Sequence, residues 1–156
     1  MKSVQRFETS SDEETRALGR ELALTLPSPC LVLLVGELGA GKTTLSKGIV
    51  EGLGAARAED VSSPTFTLIH EYGNPVRVFH IDLYRLDTAE EARRLGLEDI
   101  LEQPVIVLME WGDRFPELLP VQRIEIRLRH LDEDRREIEV CGNLGFVPAR
   151  GSSGLR

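Results

Sequence analysis

The sequence predicts an α/β domain built on a mixed, mainly parallel central sheet with antiparallel hairpins. Three observations lead to it. Residues 31–35 (LVLLV) and 105–109 (VIVLM) are unbroken runs of five apolar residues, the pattern of strands covered on both faces. The first run passes directly into a glycine-rich loop and then into a stripe of period 3.6, with Leu45, Ile49 and Leu53 four apart and Val50 three before Leu53. Two later stretches, 122–129 and 136–141, alternate apolar and polar residues as half-exposed paired strands do. The loop, GELGAGKT at 36–43, fits G-x-x-x-x-G-K-[ST]. Strand, loop and helix in that order separate a nucleotide loop from a chance match.

The residue types in the loop have a chemical purpose. Gly36, Gly39 and Gly41 permit backbone turns and close approaches that a Cβ hinders. The N–H groups of a loop spanning Gly36, Glu37, Leu38, Gly39, Ala40 and Gly41 can then wrap a phosphate. The N-terminus of the following helix, with Thr44 in its first turn, adds its dipole. Lys42 can reach the β- and γ-phosphates, and Thr43 can place its hydroxyl on Mg²⁺. The loop alone admits an ATPase, a GTPase or a small-molecule kinase.

Composition narrows the class. The chain has 156 residues, with 19 Lys and Arg against 26 Asp and Glu and a net charge of −7. This length predicts one P-loop domain over 1–147, followed by a flexible polar tail at 148–156. The acidic balance argues against broad electrostatic binding of bare nucleic acid. Cys30 and Cys141 are too far apart in sequence to suggest a disulfide framework or zinc site, and Cys30 is expected to be a packing residue. The start, MKSVQRFET, lacks an apolar signal core, and no stretch has the ~20 apolar residues of a membrane span. The expected location is the cytoplasm, without a membrane association.

Along the chain, 4–9 reads as a short edge strand. Ser11 is a candidate N-cap with Glu14 as its capping-box partner. Ala17, Leu18, Leu22 and Leu26 mark an amphipathic helix that Pro27 and Pro29 end. Gly54 is the expected C-cap of the loop helix. Residues 58–63 read as loop or short strand. Ser62, Ser63, Pro64 and Thr65 form a hydroxyl-bearing loop that could order around a γ-phosphate. Residues 66–72 and 75–82 read as a hairpin about Gly73-Asn74. Its second arm is not cleanly apolar on either parity, and His80 and Asp82 could face one polar cavity. A packed or hydrogen-bonded role suits His80. Thr88 and Glu91 form a second capping box before a helical face interrupted by Gly96. The run at 105–109 ends in Glu110, and a carboxylate at the C-terminal end of a parallel strand beside a P-loop suits a Walker-B-type acid. Trp111 reads as a packing aromatic and Asp113 as exposed. Residues 130–134 read as the turn of the last hairpin, with Glu125, Glu137 and Glu139 offsetting its arginines.

Four stretches in this order, GELGAGKTTLSKGI at 36–49, SSPTFTLIHEY at 62–72, FHIDLYRL at 79–86 and LMEWGDRFPELLP at 108–120, resemble the TsaE (YjeE) family. The combination of SPTF, H-x-D-x-Y-R and a strand ending in Glu-Trp is more specific than the P-loop alone, and the likeness covers nearly the whole chain. The resemblance implies a small Mg²⁺-dependent ATPase with a P-loop NTPase three-layer fold, its mixed, mainly parallel sheet lying between helices. Its hydrolysis of ATP would support turnover of a TsaB–TsaD complex during N6-threonylcarbamoylation of adenosine 37 in tRNAs that read codons starting with A. TsaC would act upstream, and tRNA would be engaged through the complex. It further implies that Lys42 and Thr43 bind phosphate and Mg²⁺. Residues 63–66 would form a switch, including Thr65, and Asp82 would be a second magnesium-associated acid. Glu110 would be the acid that assists hydrolysis. The metal set would be Thr43, Asp82 and Glu110, and the catalytic set Lys42, Asp82 and Glu110. A small-molecule kinase is the main alternative, but Arg93 and Arg94 form no recognisable lid. A GTPase would carry an N-K-x-D guanine reader, which the sequence lacks.

Overall fold

Strand burial divides along the line that the apolar patterns draw. The computed structural model describes residues 3–65, 68–75 and 77–142. Its strands are β1 (Ser3–Thr9), β2 (Cys30–Val35), β3 (Ile69–Tyr72), β4 (Val78–Asp82), β5 (Ile106–Glu110), β6 (Ile124–Asp132) and β7 (Arg135–Gly142). They form one sheet in the order β1-β7-β6-β2-β5-β4-β3. The strands β6, β2, β5 and β4 pair in parallel, and β1–β7, β7–β6 and β4–β3 pair antiparallel. Five of the seven strands therefore run in one direction. The two continuous apolar runs lie side by side at the centre.

The helices α1 (Asp12–Ala23) and α2 (Lys42–Gly52) cover one face, and α3 (Ala89–Arg93) and α4 (Leu97–Leu101) cover part of the other. Central strands feed both layers by alternation. Val32, Leu34, Ile106 and Leu108 join Leu18, Leu22, Leu45 and Ile49. Leu31, Leu33, Val107 and Met109 join Ala92, Leu97 and Ile100. Strands β6 and β7 supply only the first layer, through Ile124, Ile126, Leu128, Ile138 and Val140. Their other face carries Arg127, Arg129, Glu125, Glu137 and Glu139, linked by the ion pairs Arg127–Glu125, Arg129–Glu137 and Arg6–Glu139.

Local signals mostly act as the residue types require. Ser11 Oγ accepts from the Glu14 N–H, but the Glu14 carboxylate accepts from Ser10, one residue outside a strict capping box. Thr88 and Glu91 close a complete box. Helix α1 stops at Ala23, before Leu26 and the prolines, and Leu26 packs against the core from outside the helix. Gly54 follows the C-cap Leu53 at φ +72°, and the bonds Gly54 N–H to Glu51 and Ala55 N–H to Val50 make a Schellman end. Residues Ala58–Asp60 form a 3-10 turn rather than a strand. The last hairpin is tighter than expected. Strand β6 continues to Asp132, and Glu133-Asp134 alone make the turn. Phe66, Thr67, Val76 and the proposed tail at 148–156 lie outside the described residues. Cys30 packs against the core, and burial pushes its thiol up to about 12. Among the described residues no helix is long and apolar enough to cross a membrane.

The crossing of α1 over α2 fixes the height of the loop helix above the sheet. A Cβ on Gly48 would overlap the Arg16 carbonyl, one on Gly19 would come within 2.5 Å of the Leu45 carbonyl, and one on Gly52 would meet Ala23. The backbones touch where side chains would normally separate them. Gly48→Ala is therefore expected to destabilise the protein by about 1–3 kcal/mol, although alanine raises helix propensity by about 1 kcal/mol. Urea denaturation would measure it, and an unchanged or raised midpoint would refute the close crossing.

Candidate functional site

The loop between β2 and α2 is shaped by what lies beneath it. Gly41 is the N-cap of α2 at φ +106°, where a side chain is strained, and an added Cβ would stand 2.9 Å from Cδ and Nε of Arg136. Lys42 follows as the first helical residue. Its ammonium donates to the Gly36 carbonyl and lies 4.0 Å above the centre of the Trp111 ring, within range of a cation–π attraction. Burial holds its pKa below the ordinary lysine value, and the charges of Glu110, Asp82 and Asp113 oppose that shift. Asp113 itself is exposed.

The two acids come from neighbouring strands. The parallel register of β4 and β5 sets Asp82 beside Glu110 at their C-terminal ends. That is the crevice where open α/β sheets bind ligands. Asp82 is 2% exposed, Glu110 3% and Lys42 5%. Buried charges need partners; Asp82 has two and Glu110 has His80. The Tyr84 N–H donates to Asp82 Oδ1 at 2.8 Å. Thr65 Oγ1 donates to Asp82 Oδ2 at 2.8 Å, and Ser63 Oγ stands 2.7 Å from Thr65 Oγ1. The hydroxyl-bearing loop is thus tied to an acid of the site. His80 Nε2 lies 2.6 Å from Glu110 Oε2. The imidazole faces a carboxylate across the strand rather than sharing a cavity with Asp82. Trp111 leaves β5 at φ +65°, a left-handed conformation costly for a bulky residue, and its ring tilts against Tyr84 at 5.1 Å between centres.

A cavity of about 280 Å³ gathers these groups. Leu38, Gly39, Gly41, Lys42, Thr43 and Thr44 line it with Ser63, Thr65, Asp82 and Glu110. Gly36, Glu37 and Ala40 instead border a larger space of about 520 Å³ between the loop and the β6–β7 hairpin. That space is bordered by neither Lys42 nor the two acids, which the smaller cavity brings together. Hydroxyl and carboxylate oxygens are the donors a hard cation prefers. Mg²⁺ is commonly held by one or two carboxylates together with substrate phosphates and water. Thr43, Asp82 and Glu110 fit that description.

Four further residues border the cavity: Tyr84 and Trp111, already described, and Asp12 and Arg136. Arg136 begins β7, and its Nη1 donates to Asp12 Oδ1 at 2.7 Å. Asp12 reads from sequence as an ordinary acid at a helix start, and Arg136 as one member of an alternating strand. A signal was present in the second case. Arg136 shares its parity with Ile138 and Val140, so its guanidinium belongs to the covered face. Arg93 and Arg94 lie along α3 beside Glu90 and do not border this cavity.

A parallel sheet whose first central strand opens into a phosphate loop, with acids on the adjoining strand ends, defines the P-loop nucleotide-binding proteins. Comparison with known proteins narrows the class. Residues 9–138 match the family model described as threonylcarbamoyl adenosine biosynthesis protein TsaE. The tRNA threonylcarbamoyladenosine biosynthesis protein TsaE of Bacillus subtilis is 39% identical, over 85% of this chain and 82% of that protein. The protein of the same name from Nostoc is 42% identical, over 82% of this chain and 80% of its own. The crystal structure of Bacillus subtilis YdiB superposes with a TM-score of 0.72 at 30% identity, covering 99% of this chain and 93% of that one. The chain belongs to the TsaE family.

Trp111 is the only tryptophan in the chain, so its fluorescence reports the Lys42 contact. Lys42→Met keeps a long side chain and removes the ammonium. Its emission is expected to differ from the parent's in intensity or wavelength, and superimposable spectra would refute the contact.

Proposed function

We propose that this chain hydrolyses ATP in the biosynthesis of tRNA threonylcarbamoyladenosine. Its turnover supports a TsaB–TsaD complex that modifies adenosine 37 of tRNAs reading codons that start with A. TsaC supplies the activated threonylcarbamoyl group upstream, and tRNA is engaged through the complex. The observation that carries the reading is the convergence of Lys42, Asp82 and Glu110, all nearly buried, on one cavity at the mouth of the P-loop.

The roles follow from the groups available. Backbone N–H groups of the loop and the Lys42 ammonium bind the phosphates, and the α2 N-terminus adds its dipole. Thr43, Asp82 and Glu110 would hold Mg²⁺, which when bound neutralises charge on the β- and γ-phosphate oxygens. Glu110 orients the attacking water and accepts its proton as the bond to the γ-phosphorus forms and the bond to the ADP oxygen breaks. Thr65, bonded to Asp82, and Ser63, bonded to Thr65, order around the γ-phosphate. Arg136, close to Gly41, places a guanidinium beside the loop while paired with Asp12. The kinase alternative gains no support, because the arginines of α3 stand apart from the cavity.

Glu110→Gln keeps the shape and removes the negative charge. It is expected to bind ATP within a fewfold of the parent and to lower the single-turnover hydrolysis rate by about 100-fold or more. An unchanged chemical step would remove Glu110 from the mechanism. A second expectation concerns the partner. A hydroxyl loop tied to the site through the Thr65–Asp82 bond gains from further ordering, and preorganisation is a large source of catalysis. Steady-state ATPase activity should be slow for the isolated chain and rise with added TsaB–TsaD. The rise should shrink with salt, given the net charge of −7. Thr65→Ala should diminish the increment more than it weakens ATP affinity. A full rate without the partner would refute the incomplete site.

A further inference from the structure

Glu110 borders the cavity, and it is also held from within the sheet. His80 lies in the middle of β4, 0% exposed, with Leu108 as its register partner on β5. Its imidazole reaches diagonally toward the strand end, so that Nε2 stands 2.6 Å from Glu110 Oε2. On the other side of β5, Glu110 has the buried Leu34 of β2 as its neighbour. The contact is therefore walled by the apolar layer beneath α2 and shielded from competing water.

The tautomer follows from burial. Nδ1 is buried and meets no hydrogen-bond partner among the described residues. A proton there would leave an N–H without an acceptor, which costs more than a bare lone pair. The hydrogen sits on Nε2, and Glu110 Oε2 accepts it. A hydrogen bond to a carboxylate in a low-dielectric setting is among the stronger kinds. It also removes a freedom. The glutamate side chain has three rotatable bonds, and its terminal torsion is broad. A fixed donor on one oxygen sets that torsion and leaves Oε1 for the cavity.

We propose that His80 is a positioning residue. Its Nε2–H holds the Glu110 carboxylate in the orientation that lets Oε1 engage the attacking water, and His80 itself touches neither nucleotide nor water. This inference rests on the reading of Glu110 given above.

The test compares His80→Leu, His80→Gln, Glu110→Gln and the His80→Leu/Glu110→Gln pair. Single-turnover hydrolysis by the full chain would be measured at saturating Mg²⁺ and ATP, with affinity for a non-hydrolysable ATP analogue and thermal melting alongside. Leucine fills the space without a donor, whereas glutamine can carry an N–H near the position of Nε2. His80→Leu is expected to slow the chemical step about 10- to 100-fold with analogue affinity within about twofold, as loss of an orienting partner does. His80→Gln should recover most of the rate. With Glu110→Gln already present, His80→Leu should cost less than about threefold more, because residues that act as a unit are not additive. A parental rate in His80→Leu, or equal slowing in His80→Leu and His80→Gln with analogue affinity kept, would overturn the inference. If His80→Leu does not fold, His80→Gln decides the matter. A rate within about threefold of the parent supports the inference, and a loss beyond about tenfold overturns it. A parental rate in Glu110→Gln would overturn the underlying reading and this inference together. A slow Glu110→Gln beside a fast His80→Leu would overturn the inference alone.

Discussion

One ammonium and two carboxylates share a space that water barely enters, and the site is arranged to make that tolerable. A buried charge is strongly unfavourable unless it is paired and hydrogen-bonded. Lys42 therefore rests on the Gly36 carbonyl and the Trp111 ring, Asp82 receives Thr65 and the Tyr84 N–H, and Glu110 receives His80. The sum remains one negative charge in excess. The Mg²⁺ proposed above would relieve that excess, and a phosphate chain would then restore the balance around Lys42. The unfavourable backbone of Trp111 fits the same scheme, because it lays the indole over the ammonium.

What could be read in the sequence was what is local. The run at 31–35, the loop and the helical stripe are contiguous, and each has a period or spacing of its own, so β2, the loop and α2 were legible together. Strand β5 was legible for the same reason, including the acid at its end. The charged alternation of β6 and β7 correctly marked a sheet with one covered face. Helix ends were less legible. Leu26 continues the stripe of α1 but packs from beyond its end, because packing and helical continuation place the same demand on a side chain there.

The hidden parts are relations between distant segments. Strand order is a tertiary property, so nothing local to 79–86 or 108–120 reveals that Asp82 and Glu110 are register partners. The same holds for His80 and Glu110, although the mixed parity of β4 hinted that an inward polar group needed a mate. Arg136 lies 95 positions beyond Gly41, and only the return of the β6–β7 hairpin brings it to the loop. An arginine on an otherwise apolar parity was its one trace.

The pairing of β1 with β7 also has a consequence in time. Ser3 aligns with Gly142 and Thr9 with Arg136, so the earliest of the described strands to leave a ribosome finds its neighbour only when the latest of them emerges. Until then Phe7, buried in the finished protein, has no Ile138 across from it and remains available to chaperones or to other nascent chains. The guanidinium of Arg136 arrives with that same strand. A growing chain can therefore form its glycine-rich loop well before Arg136 stands beside it, and closure of the sheet edge and arrival of that guanidinium become a single late event in synthesis.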